Sequence, residues 1–306
     1  MSSVVWAKPR DVARIEDCYF YHTMDIPNHG TVHGDWDLRG RETTYLGNVD
    51  VRGKRVLEIG TASGHLCFSM ERMGAEVAAY DLSGDEEWDL VPYAGRVEGG
   101  RSNRKEEIRR LNNAYWFAHR AFASRARVAY GSVYEIPDDI GQFDICTLGA
   151  ILLHLRDPFL ALQRVTAHVR ETAIVTDVAP SGLDPASRVA VFRPDAATRL
   201  PVDTWWDLSP ALVSEFLRVL GFPDTEIHFH KELYVGSEAP GGRVEIQLYT
   251  VVGRRAPRGH NGGAGSVLIG GNPEEMVLRT IGFSRIARHL VRRGIRAIPR
   301  RLLRTS

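Results

Sequence analysis

Val56-Leu57-Glu58-Ile59-Gly60-Thr61-Ala62-Ser63-Gly64-His65-Leu66 is the stretch that decides the fold of this 306-residue chain. An apolar run ends at Glu58 and Ile59, turns through Gly60 and Gly64, and enters the amphipathic Leu66-Cys67-Phe68-Ser69-Met70. That order predicts a buried parallel strand over 55–59, a glycine turn, and a helix over roughly 66–73. Glycine lets a backbone approach a ligand without a Cβ in the way. Open α/β sheets take their ligands at the carboxyl ends of the strands. The next predicted strand, 76–81, ends in Asp81, whose carboxylate can accept both hydrogen bonds of a ribose diol.

Two nucleotide motifs fail here. A dinucleotide fingerprint needs glycine at 60, 62 and 65, and the chain has Gly60, Ala62 and His65. A phosphate-binding P-loop needs Gly-Lys-Ser/Thr, and Gly64 is followed by His65.

Glu58-x-Gly60-x-x-x-Gly64, together with Asp81, instead resembles the first motif of class I S-adenosylmethionine (SAM) methyltransferases. Gly149-Ala150-Ile151-Leu152-Leu153-His154-Leu155-Arg156-Asp157-Pro158 resembles their fourth-strand region. The resemblance implies an α/β fold: a doubly wound, Rossmann-like, seven-stranded, mostly parallel sheet with SAM as cofactor. Position by position, it implies that Glu58, Gly60, Thr61, Ser63 and Gly64 surround the methionine end. Asp81 and Leu82 would hold ribose and adenine, and Ser132 and Val133 the adenine. Leu148 and Gly149 would lie under the sulfonium. Ser132 stands where relatives usually carry an acid, so that contact is expected to be weaker.

Outward from the core, three regions are expected. Residues 1–50 read as a short helix over 11–17 and a polar segment rich in His, Asp and turn formers, a lid that closes over the cofactor. Residues 51–256 form the core, with an insert at about 83–115 that shapes the substrate space. Further predicted strands cover 127–130, 143–148, 172–177, 225–230 and 244–252, the last antiparallel and the final pair at the sheet edge. Residues 257–306 read as a glycine-rich linker and an arginine-rich, helical, basic tail.

Composition is ordinary for a globular protein, 43% hydrophobic and 25% charged. No apolar run is long enough to span a membrane, and the first residues do not read as a secretion signal. Cys18, Cys67 and Cys146 make neither a disulfide framework nor a zinc spacing, which fits a reducing, cytoplasmic setting. The net charge of +1 hides an asymmetry. Residues 276–306 hold nine of the 39 basic side chains and none of the 38 acidic ones, leaving −8 on the rest. A body this acidic is not an obvious nucleic-acid surface. The tail suits acidic partners, a membrane surface, or the protein's own acidic body.

SAM carries its own leaving group, so such an enzyme mainly aligns a nucleophile. Alignment supplies roughly 7–11 kcal/mol, and a base for a hydroxyl nucleophile adds about 10²–10⁴-fold. His154, just past the fourth core strand, is the leading base, with His22 and His29 next if the lid brings them in. His33, Trp205, Trp206 and Arg193 are the candidate contacts to an organic acceptor. No metal is expected. Asp177 with a histidine, or His228 with His230, could bind an ion, but no helical His spacing supports it.

The wider order, Tyr21-His22 through Asp37-Leu38-Arg39 to Gly53-Lys54-Arg55, is similar to tRNA wobble-uridine carboxymethyltransferases and to small-molecule methyltransferases on the same plan. The acidic body favours the second: O-methylation of a small molecule in specialised metabolism. A tRNA-modifying enzyme and a non-catalytic SAM-binding protein are the alternatives. The acceptor's identity and the oligomeric state, homo-oligomer included, are not readable from the sequence.

Overall fold

The computed structural model describes residues 3–86, 88–94, 104–236 and 242–256, and the backbone of 267–270. The N-terminal part holds short strands β1 (Met24–Ile26), β2 (Gly30–Val32) and β3 (Trp36–Asp37) and a one-turn helix α1 (Glu42–Tyr45). The core runs β4 (Arg55–Ile59), α2 (His65–Arg72), β5 (Glu76–Asp81), α3 (Arg104–Ala121), β6 (Arg127–Tyr130), β7 (Phe143–Gly149), α4 (Pro158–Thr166) and β8 (Val169–Val178). After it come β9 (Ala190–Phe192), β10 (Trp206–Leu208), α5 (Pro210–Val219), β11 (Asp224–Tyr234), β12 (Val244–Arg254) and β13 (Val267–Gly270).

The main sheet has the order β13-β11-β12-β8-β7-β4-β5-β6, with β3 also pairing to β11. β4 to β8 are parallel, and β12 is antiparallel to both of its neighbours. The fold is therefore the expected doubly wound, mostly parallel sheet. Among the described residues it has nine strands where seven are expected, because β3 and β13 join one end. β11 and β12 are consequently not the edge: β13 lies outside β11.

Alternation along the strands sorts the core onto two faces. Val56, Ile145, Ile174 and Leu248 face the layer of α2, α3 and the N-terminal segment, packing with Phe68, Met70, Tyr115 and Phe117. Leu57, Leu148, Val175 and Tyr249 face Leu162, Val213 and Leu217 of α4 and α5. Asp157 caps α4 through the Leu160 amide at 2.9 Å and Pro158 opens the helix, as the Asp-Pro pair predicts.

Two local expectations change. The helix over 11–17 shrinks to a single 3-10 turn, Ile15–Asp17. The polar segment is not simply loop. Met24 and Ile26, both 2% exposed, anchor a hairpin in which β1 pairs with β2. Its two inward side chains are too few to give a periodic signal. In the insert, Arg104 begins α3, while residue 87 and residues 95–103 lie outside the described residues. The tail over 276–306 and most of the linker also lie outside them; the linker's 267–270 form β13.

Candidate active site

β4 delivers the site. Gly60 and Gly64 both take left-handed backbone, with φ of 73° and 88°. A Cβ on Gly60 would sit 2.2 Å from Ile151 Cδ1, and one on Gly64 2.4 Å from the Phe68 ring. Ala62 lies between them at φ 50°, a left-handed conformation that costs an L-residue about 1–2 kcal/mol. Its amide donates to Asp81 Oδ2 at 2.8 Å, while the Leu82 amide donates to Oδ1 at 2.7 Å. Asp81 thus ties the turn to the tip of β5 and keeps a lone pair on each oxygen. Burial pushes its carboxyl up to about 6 despite those amides.

These elements open onto a cavity of about 790 Å³, within the size of roughly 300–1,000 Å³ common for organic ligands. Glu58, Gly60, Asp81, Leu82, Ser132, Val133 and Gly149 line it, seven of the eleven residues expected to hold the cofactor. Thr61, Ser63, Gly64 and Leu148 stand behind the lining. Ser63 is buried and accepts from the His22 amide at 3.3 Å, and Leu148 belongs to the core face of α4 and α5. Ser132 spends its hydroxyl on the Tyr134 amide at 3.3 Å.

On the cavity floor, Glu58 and Thr147 face each other in register across β4 and β7. Glu58 is 4% exposed and Thr147 1%, yet Glu58 Oε2 and Thr147 Oγ1 have no hydrogen-bond partner. Burial pushes the Glu58 carboxyl up to about 7; the side chains of Thr61 and Cys67 oppose the rise and Asp81 adds to it. Two buried acceptors beneath an open cavity call for a donor from a ligand. A primary ammonium with three N–H groups suits them, so the residues present fit an amino acid joined to a nucleoside, as SAM is. Sequence reasoning missed Thr147, because a threonine inside an apolar strand carries no local signal.

Of the candidate bases, His154 and His22 line the cavity. His154 Nδ1 lies 2.5 Å from the Asp203 carbonyl, so Nδ1 carries the proton and Nε2 the lone pair. His22 is 8% exposed, and burial holds it well below its ordinary value, with His65 contributing. It stays neutral. His29 is exposed, packed 4.7 Å from Phe117, and lies outside the lining.

None of the four acceptor contacts lines the cavity. His33 is exposed. Trp205 is buried and donates from Nε1 to the Asp89 carbonyl at 2.5 Å. Trp206 donates to the Arg156 carbonyl at 3.2 Å, and Arg193 pairs with Asp207 at 3.1 Å. They brace the wall instead. Trp205, the Val91 amide on the Val202 carbonyl (2.9 Å), and Tyr93 Oη on the Pro201 carbonyl (3.0 Å) stitch the insert to the loop before β10. The aromatic surface facing the cavity comes from Tyr19, Tyr21, Trp36, Tyr45, Tyr80, Trp88 and Tyr134.

Among the described residues, no group of three or more His, Cys, Asp or Glu is placed to hold a metal ion. His230 binds Glu232 at 2.8 Å and Thr250 at 2.9 Å. Thr250 and Thr176 in turn donate to the Tyr45 carbonyl at 3.0 and 2.8 Å. This polar row fastens α1 to the sheet. Asp177 Oδ1 accepts from the Val178 amide at 2.8 Å, while Oδ2 is buried without a partner; burial pushes the carboxyl up to about 7. No helix of the described residues is long and apolar enough to cross a membrane.

A doubly wound sheet with a glycine turn and an acid at the next strand tip defines an α/β nucleoside-binding protein. A sequence model of the family described as "Methyltransferase domain" matches residues 36–216, and the chain belongs to that family. Comparison with curated proteins finds no match. Among solved structures, the N-terminal domain of EvdMO1 in the presence of SAH and D-fucose is similar at 20% identity. That match covers 79% of this chain and 93% of the other, with a TM-score of 0.48. The 1,6-didemethyltoxoflavin-N1-methyltransferase of Burkholderia thailandensis is 16% identical over 71% and 78%, with a TM-score of 0.41. Magnesium protoporphyrin IX methyltransferase from Synechocystis PCC 6803 is 12% identical over 70% and 80%, with a TM-score of 0.43. Membership rests on the family match.

Proposed function

We propose that this methyltransferase-family chain uses SAM to methylate a small organic acceptor at oxygen. The observation that carries the reading is the cavity floor. Glu58 and Thr147 present unpartnered oxygens beside the Gly60 turn, with the Asp81 carboxylate at the next strand tip. Glu58 and Thr147 would accept from the ammonium, Asp81 from the ribose hydroxyls, and Leu82, Ser132 and Val133 would border the adenine. SAM, when bound, supplies a methyl group on a positively charged sulfur.

The protein's own part is alignment and proton handling. Gly149 makes room for Tyr45 at the strand end, holding that ring against the cavity: an added Cβ would lie 2.7 Å from Tyr45 Oη. His154 takes the acceptor's proton on Nε2, because Nδ1 is committed to the Asp203 carbonyl. Methyl transfer to oxygen rather than nitrogen rests on this base, since a hydroxyl must lose its proton and an amine need not do so first. A soluble, cytoplasmic enzyme of specialised metabolism is the setting this reading takes. A tRNA substrate would need a basic face for phosphates, and the cavity lining carries six acids and two arginines.

Calorimetric titration with SAM and SAH, with and without bulk tRNA at two salt concentrations, tests the reading. Micromolar binding of both, with no salt-dependent tRNA association, supports it. Absence of cofactor binding overturns it, and strong salt-sensitive tRNA binding moves the substrate to RNA. Acceptor screening then includes His154→Gln. Cofactor affinity held within about threefold and turnover reduced about 10²–10⁴-fold would support the base; undiminished turnover would remove it.

A further inference from the structure

We propose that the acceptor in this cavity is not anionic, bearing no phosphate, sulfate or carboxylate; this rests on the methyl-transfer reading above. The lining carries Glu58, Asp81, Glu86, Asp89, Glu107 and Asp203 against two guanidinium groups and no lysine. Both guanidinium groups are engaged. Arg104 bonds to Glu107 at 2.9 Å and also to Asp203, and its guanidinium lies 4.6 Å from the centre of the Trp88 ring. Arg110 donates to the Cys18 carbonyl at 2.9 Å. One guanidinium shared by two carboxylates leaves a negative balance, so the mouth attracts cations and repels anions.

The acceptor room itself contains no cation. From Gly149 the wall passes through Tyr45 to the register pair Val178 and Leu248, with Tyr21, Trp36 and Leu38 supplied by the N-terminal segment. Two histidines face the acceptor: His22, kept neutral by burial, and His154, which turns its lone pair to the cavity because Nδ1 is held by the Asp203 carbonyl. Behind the wall the carboxyls of Asp35, Asp177 and Glu232 outnumber His230, which packs on Tyr45 and is bonded to Glu232. An anionic group entering here would lose hydration and meet no counter-charge from the protein's own side chains on this wall. An uncharged ring loses little and gains aromatic and aliphatic contact.

The test uses two dyes that share one skeleton and differ by a sulfonate: uncharged N-phenyl-1-naphthylamine and anionic 8-anilino-1-naphthalenesulfonate. Fluorescence titrations are run on the full chain with and without SAH, with Leu248→Trp to fill the room and Val178→Arg to add a cation. Mutual displacement of the dyes on the unaltered protein locates binding if a variant fails to fold. The uncharged dye should bind the SAH-loaded protein about tenfold or more tightly than the sulfonate. Leu248→Trp should abolish its binding, and Val178→Arg should narrow the gap. Equal or tighter sulfonate binding at the same displaceable site overturns the proposal, as does binding of neither dye. Separate calorimetry with SAH keeps the two readings apart. Lack of SAH binding counts against the cofactor, and the dye pair alone reports the charge preference of the room.

Discussion

Glu58 and Thr147 lie side by side on parallel strands β4 and β7, and Glu58 Oε2 and Thr147 Oγ1 are buried without a hydrogen-bond partner among the described residues. Such oxygens are costly in the empty protein, about 1–3 kcal/mol each, and useful only when a ligand supplies the donor. Thr147→Val is therefore expected to stabilise the unliganded protein by about 1 kcal/mol and to weaken SAM binding about tenfold. Thermal unfolding with and without SAM checks both halves. A variant less stable without ligand and unchanged in affinity would mean that Thr147 only packs.

The same floor makes a prediction about pH. Burial raises Glu58 to about 7 and Asp81 to about 6 from the ordinary carboxyl values of 4.5 and 3.8. A carboxyl whose folded value is raised holds its proton more tightly in the folded state. Its contribution to stability is full below the unfolded value and is lost as pH rises through the folded one. Unliganded protein should thus lose part of its stability between about pH 4 and 7, and Glu58→Gln should flatten that fall. A cationic cofactor favours the ionised carboxylates, so SAM should bind about tenfold or more tightly at pH 8 than at pH 5. Melting curves across pH and calorimetry at the two end values measure this. A pH-independent affinity would contradict it.

Ala62 occupies a left-handed position that the turn imposes, at φ 50°. Ala62→Gly should remove that strain against a smaller cost from the greater entropy of the unfolded chain, for a net gain of about 0.5–1 kcal/mol. Ala62→Val adds a β-branched side chain at a positive φ and should break the Asp81 contact and cofactor binding together. Denaturant midpoints and SAM titrations of the pair decide the point, and equal stability of all three proteins would refute the strain.

Gly60 separates shape from backbone. An added Cβ meets the far end of Ile151, a contact that Ile151→Ala removes, but the φ of 73° remains. Gly60→Ala should cost about 1–3 kcal/mol, and the double variant with Ile151→Ala should recover only part of the Gly60 effect. Full recovery in a double-mutant cycle would show that crowding alone requires glycine here.

Arg104 ties the insert to the loop carrying the Asp203 carbonyl, and that carbonyl sets which nitrogen of His154 holds the proton. Arg104→Met should leave the fold intact and give His154 a mixture of tautomers, while Arg104→Lys should restore much of the single form. Nitrogen-15 spectra of histidine-labelled protein read the tautomer directly. An unaltered His154 spectrum in Arg104→Met would cut the link.

The sequence by itself determined the sheet's central strands, the glycine turn and the Asp81 tip. Those features are local: apolar runs with strand length, glycines where φ turns positive, and an acid at a strand end. The place of His154 just past the fourth core strand and the capped start of α4 were legible too, since both depend on residues only a few apart. Only the tertiary structure decided which polar residues share a cavity. Thr147, Tyr45 and Arg104 come from separate elements, and only packing brings them to one space. Packing also removes Trp205, Trp206 and Arg193 into the bracing wall and leaves His29 and His33 outside. Side-chain type announces what a residue can do, but the sheet register and the chain's return from residues 21–45 decide what it touches.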